Sequence, residues 1–261
     1  MGGRNSAIVL HEKCENIVHM IEDESVDLIY TDPPYGMKYK SNIPGDRRWN
    51  KSGNTANKFV STMHGDTPSS LNWDFLAGEM YRILKHNAFL FLHSNMIMIG
   101  NLYGTFLSKG FIHKGVVVWR KKNGIGGDLT ASMKRDWEPL WYLTKGKPSF
   151  NPISVIRGNG ITKNTVMRNR ISETDDWVFP LLKSEQLGHP TQKPIALARQ
   201  VIELCTNEGD LIVDPFAGSG TIPAACILLK RDCIAIEKTR MFYQLAKKRV
   251  KDVLREELRN E

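Results

Sequence analysis

The stretch LIVDPFAGSGT, residues 211–221, decides how the chain is expected to fold. Its apolar start predicts a buried strand, and TIPAACILLK from Thr221 predicts the helix that follows. Gly218 and Gly220 allow a tight turn between them, and the helix start offers free N–H groups to a ligand. The next predicted strand, CIAIE, ends in Glu237, 19 residues after Gly218, where nucleotide-binding α/β folds place an acid that accepts hydrogen bonds from ribose. A plain tight turn between strand and helix is the alternative.

The glycine half of the chain is too short to make a sheet alone, so the N-terminal half must supply the other strands. Alternating strands and helices predict an α/β fold, a doubly wound and mostly parallel Rossmann-like sheet with helices on both faces. The predicted strands are 7–10, 26–30, 88–94 and a neighbouring hairpin pair, 115–121 and 138–145. The predicted helices are 15–22, 71–85, a helix that ends near residue 108, 194–206 and about 239–258. The helix at 194–206 begins with proline in its first turn.

A second motif, TDPPYG, closes the strand at 26–30. It joins an acid, two rigid prolines and an aromatic ring. Ligands of open α/β sheets bind at the carboxyl ends of the strands, and both motifs stand at such ends. We therefore expect them to face one crevice, although about 180 residues separate them.

Composition indicates a single domain of 261 residues with two polar inserted loops, 37–70 and 146–188, both without regular structure. A formal charge of +8 and a pI near 9.3 favour a polyanionic partner such as nucleic acid, with a generally basic protein as the alternative. No apolar run is long enough to span a membrane, and the N-terminus lacks a signal-peptide core, which predicts a cytoplasmic protein. The four cysteines show no metal-ligand spacing and are expected to be reduced and mostly buried.

The motifs DPPY, HPTQKP (189–194) and FAGSGT (216–221), in this order, resemble those of the beta class of S-adenosylmethionine-dependent DNA amino-methyltransferases. The segment WRKKN…RDWEPLWYLTKG is similar to the paired strands of that class. The resemblance implies a circularly permuted methyltransferase sheet. It also implies methylation of the N6 of adenine in a specific sequence of duplex DNA, as in restriction-modification systems. The class often forms homodimers. Cytosine N4, for which the class tends to have Ser-Pro-Pro-Tyr, is the alternative, ahead of an RNA methyltransferase or a silent nucleic-acid-binding module.

The resemblance assigns the catalytic device to Asp32, Pro33, Pro34 and Tyr35. The carboxylate of Asp32 and the backbone carbonyl of Pro33 would accept the N–H bonds of the target amino group as it gains positive charge. Tyr35 would stack on a base extruded from the duplex. Methylation of cytosine at carbon 5 would need a cysteine nucleophile, usually in Pro-Cys, and the chain contains no Pro-Cys.

The resemblance also assigns the S-adenosyl-L-methionine site, with no metal. Glu237 would bind the ribose, and Lys193 would meet the carboxylate of the cofactor as a point charge. The methionine end and the loop would be held by Asp214, Phe216, Gly218, Gly220 and Thr221, with Gln192, Lys193 and Pro194 closing over them. Where the class often has Gly-Asp-Cys, this chain has Glu12, Lys13 and Cys14, so we expect Glu12 to replace the aspartate.

Basic residues in the two loops are candidates for contacts with DNA phosphates. Trp49 is a candidate wedge into the base stack. Simple solvated loops are the alternative. The terminal run KKRVKDVLREELRNE has mixed charge at helical spacing and predicts an exposed helix face. The DNA-binding candidates are Arg47, Arg48, Trp49, Lys51, Arg168 and Arg170.

Overall fold

The computed structural model describes residues 6–34, 71–121, 136–151, 153–155, 164–166, 177–180 and 192–260. The strands are β1 (Ala7–Leu10), β2 (Val26–Thr31), β3 (Leu84–His93), β4 (Ile112–Arg120), β5 (Trp137–Lys145), β6 (Ile153–Val155), β7 (Asn164–Val166), β8 (Leu211–Asp214) and β9 (Asp232–Ile236). The helices are α1 (Cys14–Val18), α2 (Trp73–Ile83), α3 (Met96–Ser108), α4 (Ile195–Cys205), α5 (Thr221–Leu228) and α6 (Arg240–Asn260). Within these ranges, no helix is both long and apolar enough to cross a membrane.

Seven strands form one sheet in the order β1-β9-β8-β2-β3-β5-β4. The neighbours from β1 to β3 are all parallel, whereas β5 runs antiparallel to both β3 and β4. Strand β2 of the N-terminal half lies directly beside β8 of the glycine half. The predicted mostly parallel, permuted sheet and the antiparallel pair are therefore confirmed.

Two apolar clusters cover the two faces of the sheet. On one face, Met80 of α2 and Phe106 of α3 pack with Leu90 of β3, and all three are fully buried. On the other, Val201 of α4 and Cys226 of α5 pack with the residues of β2 and β8 that point that way. Alternate side chains of a strand point to opposite faces, so a strand between two helical layers is apolar throughout. This explains why VDLIY carries a nearly continuous apolar run.

The C-terminal ends predicted for the first two helices are wrong. Helix α1 ends at Val18 rather than at residue 22, because the guanidinium of Arg82 donates to the carbonyls of Val18, at 3.1 Å, and Ile21, at 2.8 Å. Helix α2 ends at Ile83, and β3 starts at once because Leu84 pairs with Val26. Further along, α4 begins at Ile195, so Pro194 is its N-cap rather than part of its first turn.

The expectation of an irregular segment over 146–188 is wrong where the structure describes it. Strands β6 and β7 pair antiparallel as a two-stranded sheet. Residues 177–180 run along the edge strand β4, where the backbone N–H of Arg120 donates to the carbonyl of Trp177 at 2.8 Å. The ring of Trp177 is buried in the core. Three-residue strands and a single docked tryptophan produce no periodic signal, so the sequence pattern did not predict them.

Candidate active site

The two motifs meet at the carboxyl edge of the parallel strands. Asp32 follows β2, Asp214 ends β8, and the hydroxyl of Thr31 donates to Asp214 Oδ1 at 2.7 Å. The expected common crevice is therefore confirmed. Of the predicted site residues, the structure brings these together around one cavity: Asp32, Gln192, Lys193, Asp214, Phe216, Gly218 and Thr221.

The glycine loop turns within a few residues. The backbone N–H of Phe216 donates to Asp214 Oδ1 at 3.1 Å, and that of Gly220 donates to the Ala217 carbonyl at 2.8 Å. Gly220 has φ +76°, and a Cβ there would lie 2.8 Å from the Cα of Ala246 in α6. Gly220 is therefore needed for the close approach of α6, besides the cofactor contact that the sequence predicted.

Glu237 follows β9 and its side chain is largely buried. Its Oε2 accepts from the backbone N–H of Gly218 at 3.0 Å, and its Oε1 accepts from that of Thr239 at 2.7 Å. A carboxylate oxygen has two lone pairs, so each can also accept from a hydroxyl group. The hydrogen bonds lower the pKa of Glu237, but burial outweighs them, so the pKa is raised above its usual value. An acid fixed beside a glycine loop fits the ribose of an adenosyl cofactor.

Asp214 is fully inside the protein, at the floor of the cavity. Burial raises its pKa to about 7, although the hydrogen bonds from Thr31 and Phe216 act in the opposite direction. The charges of Asp32 and Glu237 raise it further. Three carboxyl groups thus meet at one edge of the sheet.

The side chain of Lys193 lies against the acid of the DPPY motif. Its Nζ is 2.6 Å from Asp32 Oδ2 and 3.6 Å from Glu138 Oε2. Burial lowers the pKa of Lys193, but the two carboxylates outweigh it and raise the pKa above its usual value. The predicted contact between Lys193 and the carboxylate of the cofactor stays a prediction. Gln192 is buried in the same cavity.

Two aromatic residues that the sequence did not single out line the same cavity. The hydroxyl of Tyr30 and Nε2 of His93 are hydrogen-bonded at 3.0 Å, and their rings stack with centroids 5.5 Å apart. Burial, and next the charge of Lys193, lowers the pKa of His93 well below its usual value. His93 is the last residue of β3, beside β2, so the strand-end rule that identified Asp32 could have found it.

Two further polar residues were missed. Glu138 stands at the start of β5, which runs antiparallel, so this start lies at the same edge as the ends of its neighbours. Arg249 of α6 donates from Nη1 to Thr221 Oγ1 at 2.7 Å. Because α6 also buries Ala246 and Val250, the terminal helix is only partly the exposed face that its charges predicted.

The departure from the Gly-Asp-Cys pattern has a local structural role. Glu12 is exposed beyond β1, and its Oε1 accepts from the backbone N–H of Lys13 at 2.8 Å and from Asn16 Nδ2 at 3.0 Å. These bonds secure the start of α1. A role for Glu12 at the cofactor stays a prediction. Cys14 is buried, as are two of the other three cysteines, and all four are free thiols, as expected.

Several predicted residues lie outside the described part of the chain, and their assignments stay predictions. Tyr35 is one of them. Pro33 and Pro34 are described, the first buried and the second half-buried. The whole set of DNA-binding candidates falls outside: Arg47, Arg48, Trp49, Lys51, Arg168 and Arg170.

A Rossmann-like sheet with a glycine loop and an acid after the next strand defines a class, the α/β folds that bind an adenosine-containing cofactor at the ends of their strands. A sequence profile of the N6/N4 methyltransferase family, described as DNA methylase, matches residues 26–248, and the chain belongs to this family. It is accordingly a DNA methyltransferase with S-adenosyl-L-methionine as its methyl donor.

Known proteins similar to the chain agree with this membership. The Type II methyltransferase M.HpaI of Haemophilus parainfluenzae is 27% identical over 244 residues, which cover 91% of this chain and 73% of the relative. The crystal structure of the M1.HpyAVI–SAM complex matches with a TM-score of 0.62 at 21% identity, and the match covers 94% of this chain and 100% of the other. The PvuII DNA methyltransferase, cytosine-N4-specific, has a TM-score of 0.69 at 15% identity, with 98% and 94% covered. The two structures support the fold.

Proposed function

We propose that the chain methylates the exocyclic N6 of adenine within a specific sequence of duplex DNA. The observation that carries the proposal is the common cavity, in which Asp32 of the DPPY motif and the glycine loop line one space. An acid in the first position of the motif supports adenine over cytosine, because the cytosine-N4 enzymes of the resembled class tend to have serine there.

Methyl transfer to a base amino group needs hydrogen-bond acceptors from the protein rather than a protein nucleophile. The lone pair of a base amino group is delocalised into the ring, so the nitrogen is a poor nucleophile. Asp32 and the backbone carbonyl of Pro33 would accept its two N–H bonds, localise the lone pair and stabilise the positive charge that develops. When bound, S-adenosylmethionine supplies an electrophilic methyl group. The acceptors would hold the amino nitrogen in line with that methyl group, so no covalent enzyme intermediate is needed. The new C–N bond would form as the C–S bond of the sulfonium breaks, S-adenosylhomocysteine would leave, and the nitrogen would release one proton.

The residues of the glycine half would hold the cofactor. Glu237 is oriented by two backbone amides and has lone pairs left for ribose hydroxyls. Gly218 and Thr221 line the same space. For the methionine end we infer contacts with Asp214, Phe216, Gln192, Lys193 and Pro194.

The target base would have to leave the duplex to reach this cavity. Extrusion costs a few kcal/mol of unstacking, and we infer that Tyr35 recovers part of it by stacking on the base. We also infer that the chain forms one methyltransferase domain, in which the basic segments 37–70 and 146–188 contact DNA. Arg47, Arg48 and Arg170 would neutralise phosphates and orient the duplex. We further infer a cytoplasmic homodimer.

Cytosine N4 methylation is the second candidate, because that amino group is conjugated to its ring in the same way and needs the same acceptors. The test is to incubate the protein with duplex DNA and labelled cofactor, digest the DNA to nucleosides and identify the product by mass spectrometry. N6-methyldeoxyadenosine is expected. N4-methyldeoxycytidine would establish the alternative. Label that appears only when RNA replaces the DNA in a parallel incubation would contradict both. Single-stranded DNA of the same sequence is the control for the duplex requirement.

A further inference from the structure

Four charged side chains meet where β2, β4 and β5 reach the cavity. Lys193 lies between two carboxylates, 2.6 Å from Asp32 Oδ2 and 3.6 Å from Glu138 Oε2. Lys121, just after β4, forms an ion pair with the other oxygen of Glu138. The exposed fractions of the side chains are 7% for Lys193, 20% for Asp32, 23% for Glu138 and 33% for Lys121. The network is thus most enclosed at its centre.

Enclosed charges of this kind are costly to leave without partners. Bringing an ion out of water costs several kcal/mol, which only close opposite charges and hydrogen bonds offset. Burial raises the pKa of Glu138, but the two lysines outweigh it and lower the pKa below its usual value. Glu138 is therefore an anion, and Lys193 divides its charge between two carboxylates.

The backbone holds Glu138 at this edge. In the β4–β5 register Glu138 faces Trp119, and the backbone N–H of Ser94 donates to the carbonyl of Pro139 at 3.2 Å. The start of β5 is thereby fixed against the end of β3. Among the described residues, Glu138 Oε2 has no hydrogen-bond partner, although it lies near Lys193. The contact between Glu138 Oε2 and Lys193 Nζ, at 3.6 Å, is therefore mainly an attraction between charges rather than a short hydrogen bond.

We propose that Glu138 is a positioning residue for methyl transfer, which acts by holding Lys193 and so setting the charge and orientation of the Asp32 carboxylate. With Glu138 present, one cation serves two anions, and Asp32 keeps much of its negative charge for the amino group. Without Glu138, more of the charge of Lys193 acts on Asp32. Asp32 then becomes a weaker acceptor for a nitrogen that is gaining positive charge. The inference rests on the proposed role of Asp32 in the reaction.

The test is Glu138→Gln, which keeps the shape of the side chain and removes its charge. Glu79→Gln is the matched control, because Glu79 is similarly enclosed, at 18% exposed, and paired with Arg82 on α2. We expect the single-turnover rate of methyl transfer to fall roughly 10- to 100-fold in Glu138→Gln, less than for a directly contacting group. The dissociation constant of the cofactor and the KM for DNA should stay within about twofold. The control should lose stability but no rate.

A double-mutant cycle with Lys193→Met separates action through Lys193 from an independent effect. If Glu138 acts through Lys193, the double variant should lose less rate than the product of the two single losses. Losses that multiply, or a parent-like rate in Glu138→Gln, would overturn the proposal. Glu138→Asp keeps the charge and should recover part of the rate. If Glu138→Gln does not fold, Glu138→Asp carries the test, and a rate that falls more than about 100-fold in a variant that keeps the charge would contradict the proposal.

The failure of this inference can be told apart from failure of the proposed function. If Asp32→Ala methylates DNA like the parent, the role of Asp32 falls, and the inference about Glu138 falls with it. If Asp32→Ala is inactive while Glu138→Gln is parent-like, only the inference about Glu138 is wrong. The identity of the methylated base affects neither outcome.

Discussion

The carboxylates on the two sides of the cavity are held in different ways. On the side where we propose that the target base binds, called the target side, Asp32 forms an ion pair with Lys193, whose Nζ lies at 2.6 Å. On the side where we propose that the cofactor binds, called the cofactor side, Asp214 accepts from a hydroxyl and a backbone N–H, and Glu237 accepts from two backbone N–H groups. Hydrogen bonds from backbone amides tie a carboxylate to the conformation of a loop, whereas a lysine neutralises part of the charge of a carboxylate. The comparison suggests that the cofactor side is built for shape and the target side for electrostatics.

The pKa shifts of Asp214, Glu237 and Glu138 differ between the two sides in a similar way. Burial raises the pKa of Asp214 to about 7 and also raises that of Glu237. On the target side, Lys193 and Lys121 lower the pKa of Glu138 despite its burial. Carboxyl groups around one cavity are therefore shifted in opposite directions by their local partners. A cation beside the acid makes the difference.

The largest effect is expected on the target side. Asp32→Ala should lower the methyl-transfer rate about 100- to 1,000-fold, because it removes an acceptor that matters most as the amino nitrogen becomes charged. Cofactor affinity should change little, since the amide-bound acids are untouched. Rapid-quench rates with labelled cofactor, and calorimetry for its binding, measure the two quantities. Asp32→Asn keeps the shape and should fall between Ala and the parent. A full rate in Asp32→Ala would refute the assignment of chemistry to this side.

The next effect is expected on cofactor binding. Glu237→Ala leaves the amides of Gly218 and Thr239 without their acceptor and removes the predicted ribose contact. Loss of such bonds costs about 1–3 kcal/mol, so the dissociation constant should rise roughly 5- to 150-fold. Calorimetry measures it, with the exposed Glu208→Ala as the control. An equal loss of affinity in Asp32→Ala would mean that the two sides are not separate.

The sequence predicted the features that follow strand and glycine patterns. The strand–glycine–helix–strand unit followed from the apolar and glycine patterns, and the permuted order followed from the resemblance to the beta class. The meeting of Asp32 and Asp214 at one cavity followed from the rule that ligands bind at strand ends. The same rule, applied to β3 and to the antiparallel β5, would have added His93 and Glu138.

Other parts of the site and fold depend on tertiary contacts that no local pattern encodes. The contact of Arg249 with Thr221 needs α6 to pack across the start of α5. The early end of α1 needs Arg82, 64 residues away from Val18. The docking of Trp177 beside Arg120 joins a short segment to a sheet edge without any periodicity. Such contacts follow from the folded arrangement and not from neighbours in sequence.

The close packing of Gly220 against α6, on the cofactor side, predicts an effect on stability rather than on rate or binding. In Gly220→Ala a Cβ would lie 2.8 Å from Ala246 Cα, at a φ of +76° that L-residues rarely adopt. Overpacking and strain of this kind cost about 1–3 kcal/mol. Gly104→Ala is the matched control, since nothing lies within 4 Å of a Cβ there and alanine favours the helix by up to about 1 kcal/mol. Urea unfolding measures both. If Gly220→Ala is as stable as Gly104→Ala, the loop does not constrain α6.

The last effect concerns Asp214 and depends on pH. Its folded pKa of about 7 lies above the usual value, so between these pKa values the native state binds a proton that the unfolded chain has released. Stability from this group is fully present at low pH and is lost as pH rises toward 7, by at most about 1.4 kcal/mol per pH unit. Asp214→Asn can keep the acceptor for Thr31 and does not titrate. Its free energy of unfolding should therefore rise relative to the parent between pH 5 and pH 7. Urea unfolding at three pH values measures the difference, with the half-exposed Asp252→Asn on α6 as the control. A difference that does not change with pH would mean that Asp214 is charged like an ordinary acid, and the contrast between the two sides of the cavity would be lost.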